Sequence, residues 1–147
     1  TELPFFQEGG TPNVLGIAGL VAGIQYVQDR GLAAIHEHEM DLIDHLAGRL
    51  EGLPGVRLLG HRDRHRKVAA LSFTIDGFPA ADVGAILDTS FDIAVRPGQH
   101  CAPYIHRRQG TFPTGAVRAS PGPFSSRDDV DRLADAVAEI ASSAASV

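Results

Sequence analysis

A single cysteine, Cys101, serves a chain of 147 residues. It allows no intrachain disulfide, so a reducing cytoplasm is the natural setting. Lysine is as scarce: Lys67 is the only one, so chemistry that needs an amine has one side chain to use. No long hydrophobic run is present. The most apolar segment, Val14–Val27, is broken by Gly16, Gly19, Gly23 and Gln25 and is too short to span a bilayer. No charged-then-apolar leader opens the chain. Thr1-Glu-Leu-Pro-Phe-Phe has no initiator Met and reads as mid-protein sequence, from a processed product or a partial gene. A net charge of −5 argues against a general nucleic-acid surface, and the basic run His61–Lys67 is short and local. The histidines carry no H-E-x-x-H spacing and have one cysteine for company, so no zinc site is expected. His36 and His38 diverge on a helix, whereas His38 and His45 can share a face; a solvated, pH-sensitive surface is the simpler reading.

What is present is ordinary globular material, 44% apolar and 21% charged, enough for one domain with a real core. Pro4, Gly9-Gly10 and Pro12 keep residues 1–12 irregular. Asn13 caps a helix running to about Arg30, and Gly31 ends it. A second helix runs from about Leu32 to Leu50, with Ile35, Leu42, Ile43, Leu46 and Leu50 as its apolar stripe. Gly52-Leu-Pro-Gly55 is a turn, followed by strands at Val56–Leu59 and Val68–Ile75. A helix begins near Pro79 and carries Val83, Ile86 and Leu87. Ile93–Val95 reads as a strand that Pro97 and Gly98 break. Ala102–Gln109 supplies one or two helical turns, and Gly115–Ser120 another strand. A last helix is capped by Ser125 or Ser126, with Asp128 and Asp129 at its positive end and Val130, Leu133, Val137 and Ile140 as its stripe. The tail Ala141–Val147 is expected to fray. This order fits a two-layer α+β domain, a small and mostly antiparallel sheet covered by helices. It reads as a single domain, with the N-terminal loop and long helices in residues 1–52 and an α/β sandwich in 53–147.

Three stretches carry candidate chemistry. In Arg96-Pro-Gly-Gln-His-Cys-Ala102, Cys101 rides a loop beside His100 and near Arg96, where a cation favours the nucleophilic thiolate; a buried structural cysteine is the alternative. Gly10-Thr11-Pro12-Asn13 feeds a helix N-terminus, where backbone amides and a hydroxyl suit an anion; a plain capping turn is the alternative. Arg118 lies among Ala116, Val117 and Ala119. It either meets a carboxylate with its planar fork or places its head in water at a sheet edge.

Arg96-Pro-Gly-Gln-His-Cys-Ala102 resembles the Arg-x-Gly-x-His-Cys-Ala loop of cysteine desulfurases, and Glu8-Gly-Gly-Thr-Pro-Asn13 upstream and Val117-Arg-Ala-Ser120 downstream agree with it in the family's order. Those are enzymes of the class V aminotransferase group that use pyridoxal 5'-phosphate. The resemblance runs from about residue 5 to about residue 140 and covers the C-terminal part of such an enzyme, so the fold it implies is the small C-terminal domain of fold-type I enzymes. It implies a cytoplasmic enzyme that converts L-cysteine to L-alanine and leaves a persulfide on Cys101. Arg118 would bind the substrate carboxylate. Gly10 and Thr11 would reach the cofactor phosphate across a homodimer, and Arg96 and His100 would support the loop or the thiolate. Pro121-Gly-Pro-Phe124 departs from some members. The Schiff-base lysine belongs to the family's large domain, and Lys67 does not follow its His-Lys pattern. The chain alone is therefore expected to be inactive, completed by a chain carrying the large domain. Two other readings stay open: a non-enzymatic sulfur-acceptor or interaction module for a partner protein, and a class V aminotransferase or lyase relative with an inert Cys101.

Overall fold

The computed structural model describes residues 9–144. The expected loop at residues 1–8 and residues 145–147 lie outside the described residues; residues 141–144, expected to fray, are instead helical, with Ala141 buried. The chain forms two compact units, one reaching to Ile35 and the other beginning at His36.

In the first unit Asn13 caps helix α1 (Val14–Arg30) by accepting from the Gly16 amide at 3.0 Å, and Gly31 ends it at φ 81°. The cap satisfies an amide that has no partner within the helix. Helix α2 (Leu32–Leu50) begins in this unit and continues into the second.

The second unit has the α+β class read from the sequence. Strands β1 (Val56–Leu59), β2 (Leu71–Ile75), β3 (Arg96–Gly98) and β4 (Ala116–Ala119) form one open antiparallel sheet in the order β1-β2-β4-β3. Leu71, Phe73 and Ile75 alternate with Ser72 and Thr74, so one face of β2 is core. Against it lie Ile43, Leu46 and Leu50 of α2, Val83 and Leu87 of α3 (Ala80–Phe91), and Val130, Leu133, Val137 and Ile140 of α5 (Arg127–Ala144), all buried. Phe73 is fully buried at the centre. Arg57 of β1 donates at 3.2 Å to the carbonyl of Gln109, the last residue of the short helix α4 (Pro103–Gln109). Ser126 starts α5: its hydroxyl accepts from the Asp129 amide at 3.2 Å, and the Asp129 carboxylate accepts from the Ser126 amide at 2.8 Å.

Three expectations need correction. Ile93–Val95 is not a strand, and Pro97 and Gly98 do not break one; they form β3 with Arg96. β3 pairs on one side only, and an edge tolerates the missing proline amide. Gly115 allows the close crossing there, since a Cβ at that position would sit 2.2 Å from the Gly98 carbonyl. The second strand begins at Leu71 rather than Val68, because the Ala70 amide turns back to the Val68 carbonyl. His38 and His45 are not solvated. Both are half-buried, His38 bonding the Ser125 carbonyl at 3.0 Å and His45 the Asp131 carboxylate at 2.7 Å. The basic run is locally neutralised: Arg64 pairs with Glu37 and Asp41, and Lys67 with Asp44 at 2.9 Å.

Candidate active site

β3, the loop after it and β4 bring Arg96, His100, Cys101 and Arg118 into one region of the second unit. The loop is a tight turn in which the Ala102 amide donates to the Gln99 carbonyl at 2.8 Å. Two consecutive residues without a glycine among them, His100 (φ 53°) and Cys101 (φ 59°), adopt left-handed backbone. That conformation costs on the order of 1–2 kcal/mol per residue, so surrounding contacts must impose it. Two are visible. The Gln99 side chain donates to the Pro113 carbonyl at 2.9 Å, and His100 Nε2 bonds the Arg96 carbonyl at 2.8 Å. Since a carbonyl only accepts, that nitrogen carries the proton. The outcome is an exposed Cys101 thiol on a pinned turn.

His100 is held below the ordinary histidine value, chiefly by burial and then by the charge of Arg118, with smaller contributions from His106 and Arg96. The Arg96 carbonyl pulls the other way without prevailing. The imidazole is therefore neutral at pH 7. Its ring meets His106 edge-on, centroids 5.7 Å apart, and buried His106 is fixed in turn by Thr111 at 2.7 Å. Nothing in the sequence pattern pointed to His106, Thr111 or the Gln99 tether.

Arg118 is half-buried on β4, opposite Arg96 of β3 and Ser72 of β2. Like charges directly opposite across a ladder are destabilising, and an anion between the two guanidinium groups removes that penalty. The Arg118 Nε is buried and has no hydrogen-bond partner among the described residues, which leaves a desolvated donor to be matched. The surroundings reinforce the field: from Ile93 to Arg127 the sequence has five arginines and no carboxylate. The donors of this region suit a small anion.

Gly10 and Thr11 belong to the first unit and are both exposed, Gly10 at φ 95°. The donor chemistry of that turn, a hydroxyl and free-standing backbone, fits a phosphate. Lys67 does not fit as the anchor of an aldehyde cofactor, because its ammonium is half-buried against Asp44. Among the described residues no three His, Cys, Asp or Glu side chains gather as a metal site, and no helix is long and apolar enough to cross a membrane.

The sequence model of the family described as Aminotransferase class-V matches residues 1–133. A probable cysteine desulfurase 2 of Mycobacterium leprae is 36% identical over 126 residues, 86% of this chain and 29% of the relative. A cysteine desulfurase of Escherichia coli O8 is 37% identical over 133 residues, 90% of this chain and 31% of the relative. The apo structure of the cysteine desulfurase from Thermococcus onnurineus NA1 superimposes with a TM-score of 0.84 at 35% identity, over 97% of this chain and 35% of its own. A cysteine desulfurase from Escherichia coli in an S-sulfonic acid form gives 0.76 at 31% identity, over 95% and 33%. The chain thus spans about a third of the length of the relatives it matches.

Proposed function

The chain belongs to the aminotransferase class-V family, and we propose that it is the substrate- and sulfur-handling domain of a cytoplasmic cysteine desulfurase. Its residues 1–147 work as one such domain, and the lysine belongs to the large domain, outside these residues. The observation that carries this reading is the orphaned Arg118 Nε, opposite Arg96 and beside the loop that presents Cys101.

In this reading Arg118 binds the carboxylate of cysteine with its fork, and Arg96 completes the anion site. The Cys101 thiolate attacks the substrate sulfur: an S–S bond forms as the carbon–sulfur bond breaks, leaving alanine and a persulfide on Cys101. His100 positions the loop through the Arg96 carbonyl and, being neutral, adds no charge beside the arginines. Gly10 and Thr11 hold the cofactor phosphate in the partner subunit of a homodimer. Pyridoxal 5'-phosphate, when bound, supplies the electron sink for carbon–sulfur cleavage.

A fused enzyme tests this reading: the matching third of the Thermococcus onnurineus desulfurase is replaced by this chain within one polypeptide. Cysteine-dependent sulfide and alanine are expected. Cys101→Ser should abolish sulfide while the cofactor's absorbance remains, and Arg118→Lys should raise KM for cysteine by about tenfold or more. A fused protein that folds, binds the cofactor and releases sulfide equally well with Cys101→Ser would overturn it. The exposure of Cys101 favours a second reading, a non-enzymatic sulfur acceptor. There the isolated chain, mixed with an intact desulfurase and cysteine, would gain the mass of one sulfur atom at Cys101.

A further inference from the structure

Among the described residues two polar side chains are buried, His106 and Thr111, each 5% exposed. They are bonded to each other, Thr111 Oγ1 lying 2.7 Å from His106 Nδ1. A buried polar pair is no better for stability than apolar side chains of the same shape, so its presence calls for a reason of position. The end of α4 does not supply one. Gly110 takes left-handed backbone at φ 71°, its amide donates to the Arg107 carbonyl at 3.3 Å, and the Thr111 amide donates to the His106 carbonyl at 2.8 Å. The helix is closed by backbone alone.

What the pair adds is a contact with the turn that presents Cys101. The His106 ring meets the His100 ring at an interplanar angle of 61°, close to the edge-to-face arrangement that aromatic rings favour. His100 in turn donates to the Arg96 carbonyl and is the first of the two left-handed residues. The connection from Gly110 to Gly115 backs the same turn at two further points. The Pro113 carbonyl accepts from Gln99, and Gly115 crosses Gly98. Both act on residues before the left-handed pair, whereas the His106 ring bears on a member of the pair itself.

We propose that His106, fixed by Thr111, is a positioning residue for Cys101: it backs the His100 ring and so holds the left-handed turn that presents the thiol. Without that backing the ordinary negative φ of L-residues is favoured again. For turnover the inference rests on the proposed function, which it deepens by naming what sets the position of the thiol.

The test is hydrogen exchange on the 147-residue chain, read at the Ala102 amide, which donates to the Gln99 carbonyl across the turn. His106→Asn removes the ring, Thr111→Val removes the hydroxyl that fixes it, and Thr111→Ser keeps a hydroxyl in place. The first two should speed exchange at Ala102 by at least about tenfold while the amides of β2 keep their protection. They should also change the rate of Cys101 alkylation by iodoacetamide by at least about threefold, and Thr111→Ser should restore both readings. In the fused enzyme His106→Asn should lower kcat about fivefold or more and leave KM for cysteine within about twofold, since Arg118 is untouched. Unchanged exchange at Ala102 in a folded His106→Asn overturns the proposal, and so does an unmoved kcat in an active fusion. Faster exchange spread equally over Ala102 and β2 overturns it too, as the mark of lost packing alone. If His106→Asn does not fold, Thr111→Val, which preserves volume, decides by the same readings. The exchange needs neither cofactor nor substrate, so its failure is separable from that of the fused enzyme.

Discussion

Helices α1 and α2 are close in length, 17 and 19 residues, and nearly adjacent in sequence, yet they solve opposite problems. α2 is amphipathic. Met40, Leu42, Ile43, Leu46, Ala47 and Leu50 are buried, while Glu37, Asp41 and Asp44 face Arg64 and Lys67. α1 carries as many large aliphatic residues and buries none. The pair shows that apolar content does not reveal where a helix is stabilised. The three-and-four spacing of α2 names a face and hence a core, whereas the first three turns of α1, apolar on all sides, name no face and hold no buried residue.

The largest effect that sharpens the contrast is Phe73→Ala. It empties the centre of the second unit and should cost about 3–5 kcal/mol in urea unfolding. Ile24→Ala on α1 should change the same curve by less than about 0.5 kcal/mol. A large loss from Ile24→Ala would mean that α1 is already integrated. Next comes Gly115→Ala, which drives a Cβ into the Gly98 carbonyl at a backbone φ of 79°. A loss of about 2–3 kcal/mol is expected, with faster hydrogen exchange in β3 and an α2 that stays protected. The smallest concerns the α2–α5 seam. Asp131 is held below the usual carboxylate range, first by its hydrogen bond to His45 and then by the charges of His45 and Arg49. A carboxylate depressed in the folded state adds stability above its unfolded value and loses it as pH falls through the folded one. Asp131→Asn should therefore flatten the acid limb of the stability curve below about pH 4 and leave its shape at neutral pH alone.

Most of the helical frame was legible because its signals are local: Asn13 and Gly31 bracket α1, and the spacing of Val130, Leu133, Val137 and Ile140 sets α5. The strand edges were less so. β3 contains a proline that reads locally as a breaker, and its pairing with β4 is decided by residues some twenty positions away. His38 and His45 looked solvent-facing because their partners, Ser125 and Asp131, lie more than eighty residues downstream. The candidate site divides in the same way. Cys101 and Arg118 are visible as residue types in context, but the Arg96–Arg118 opposition is a fact of register, and the left-handed turn at His100–Cys101 is announced by no glycine.

The edge strand that precedes Cys101 has one further consequence. β3 is three residues long and bonded along a single side, so it can be peeled away while Phe73 and its neighbours stay packed. Local openings of this kind occur at free energies well below that of global unfolding. The thiol is mounted beside this edge, so its reach and its exchange with solvent are set by a few ladder bonds, two side-chain tethers and the seating of Pro97 against Gly84 of α3. The reactivity of Cys101 and the melting temperature of the chain are therefore separate dials, and a substitution can turn one while the other stays still.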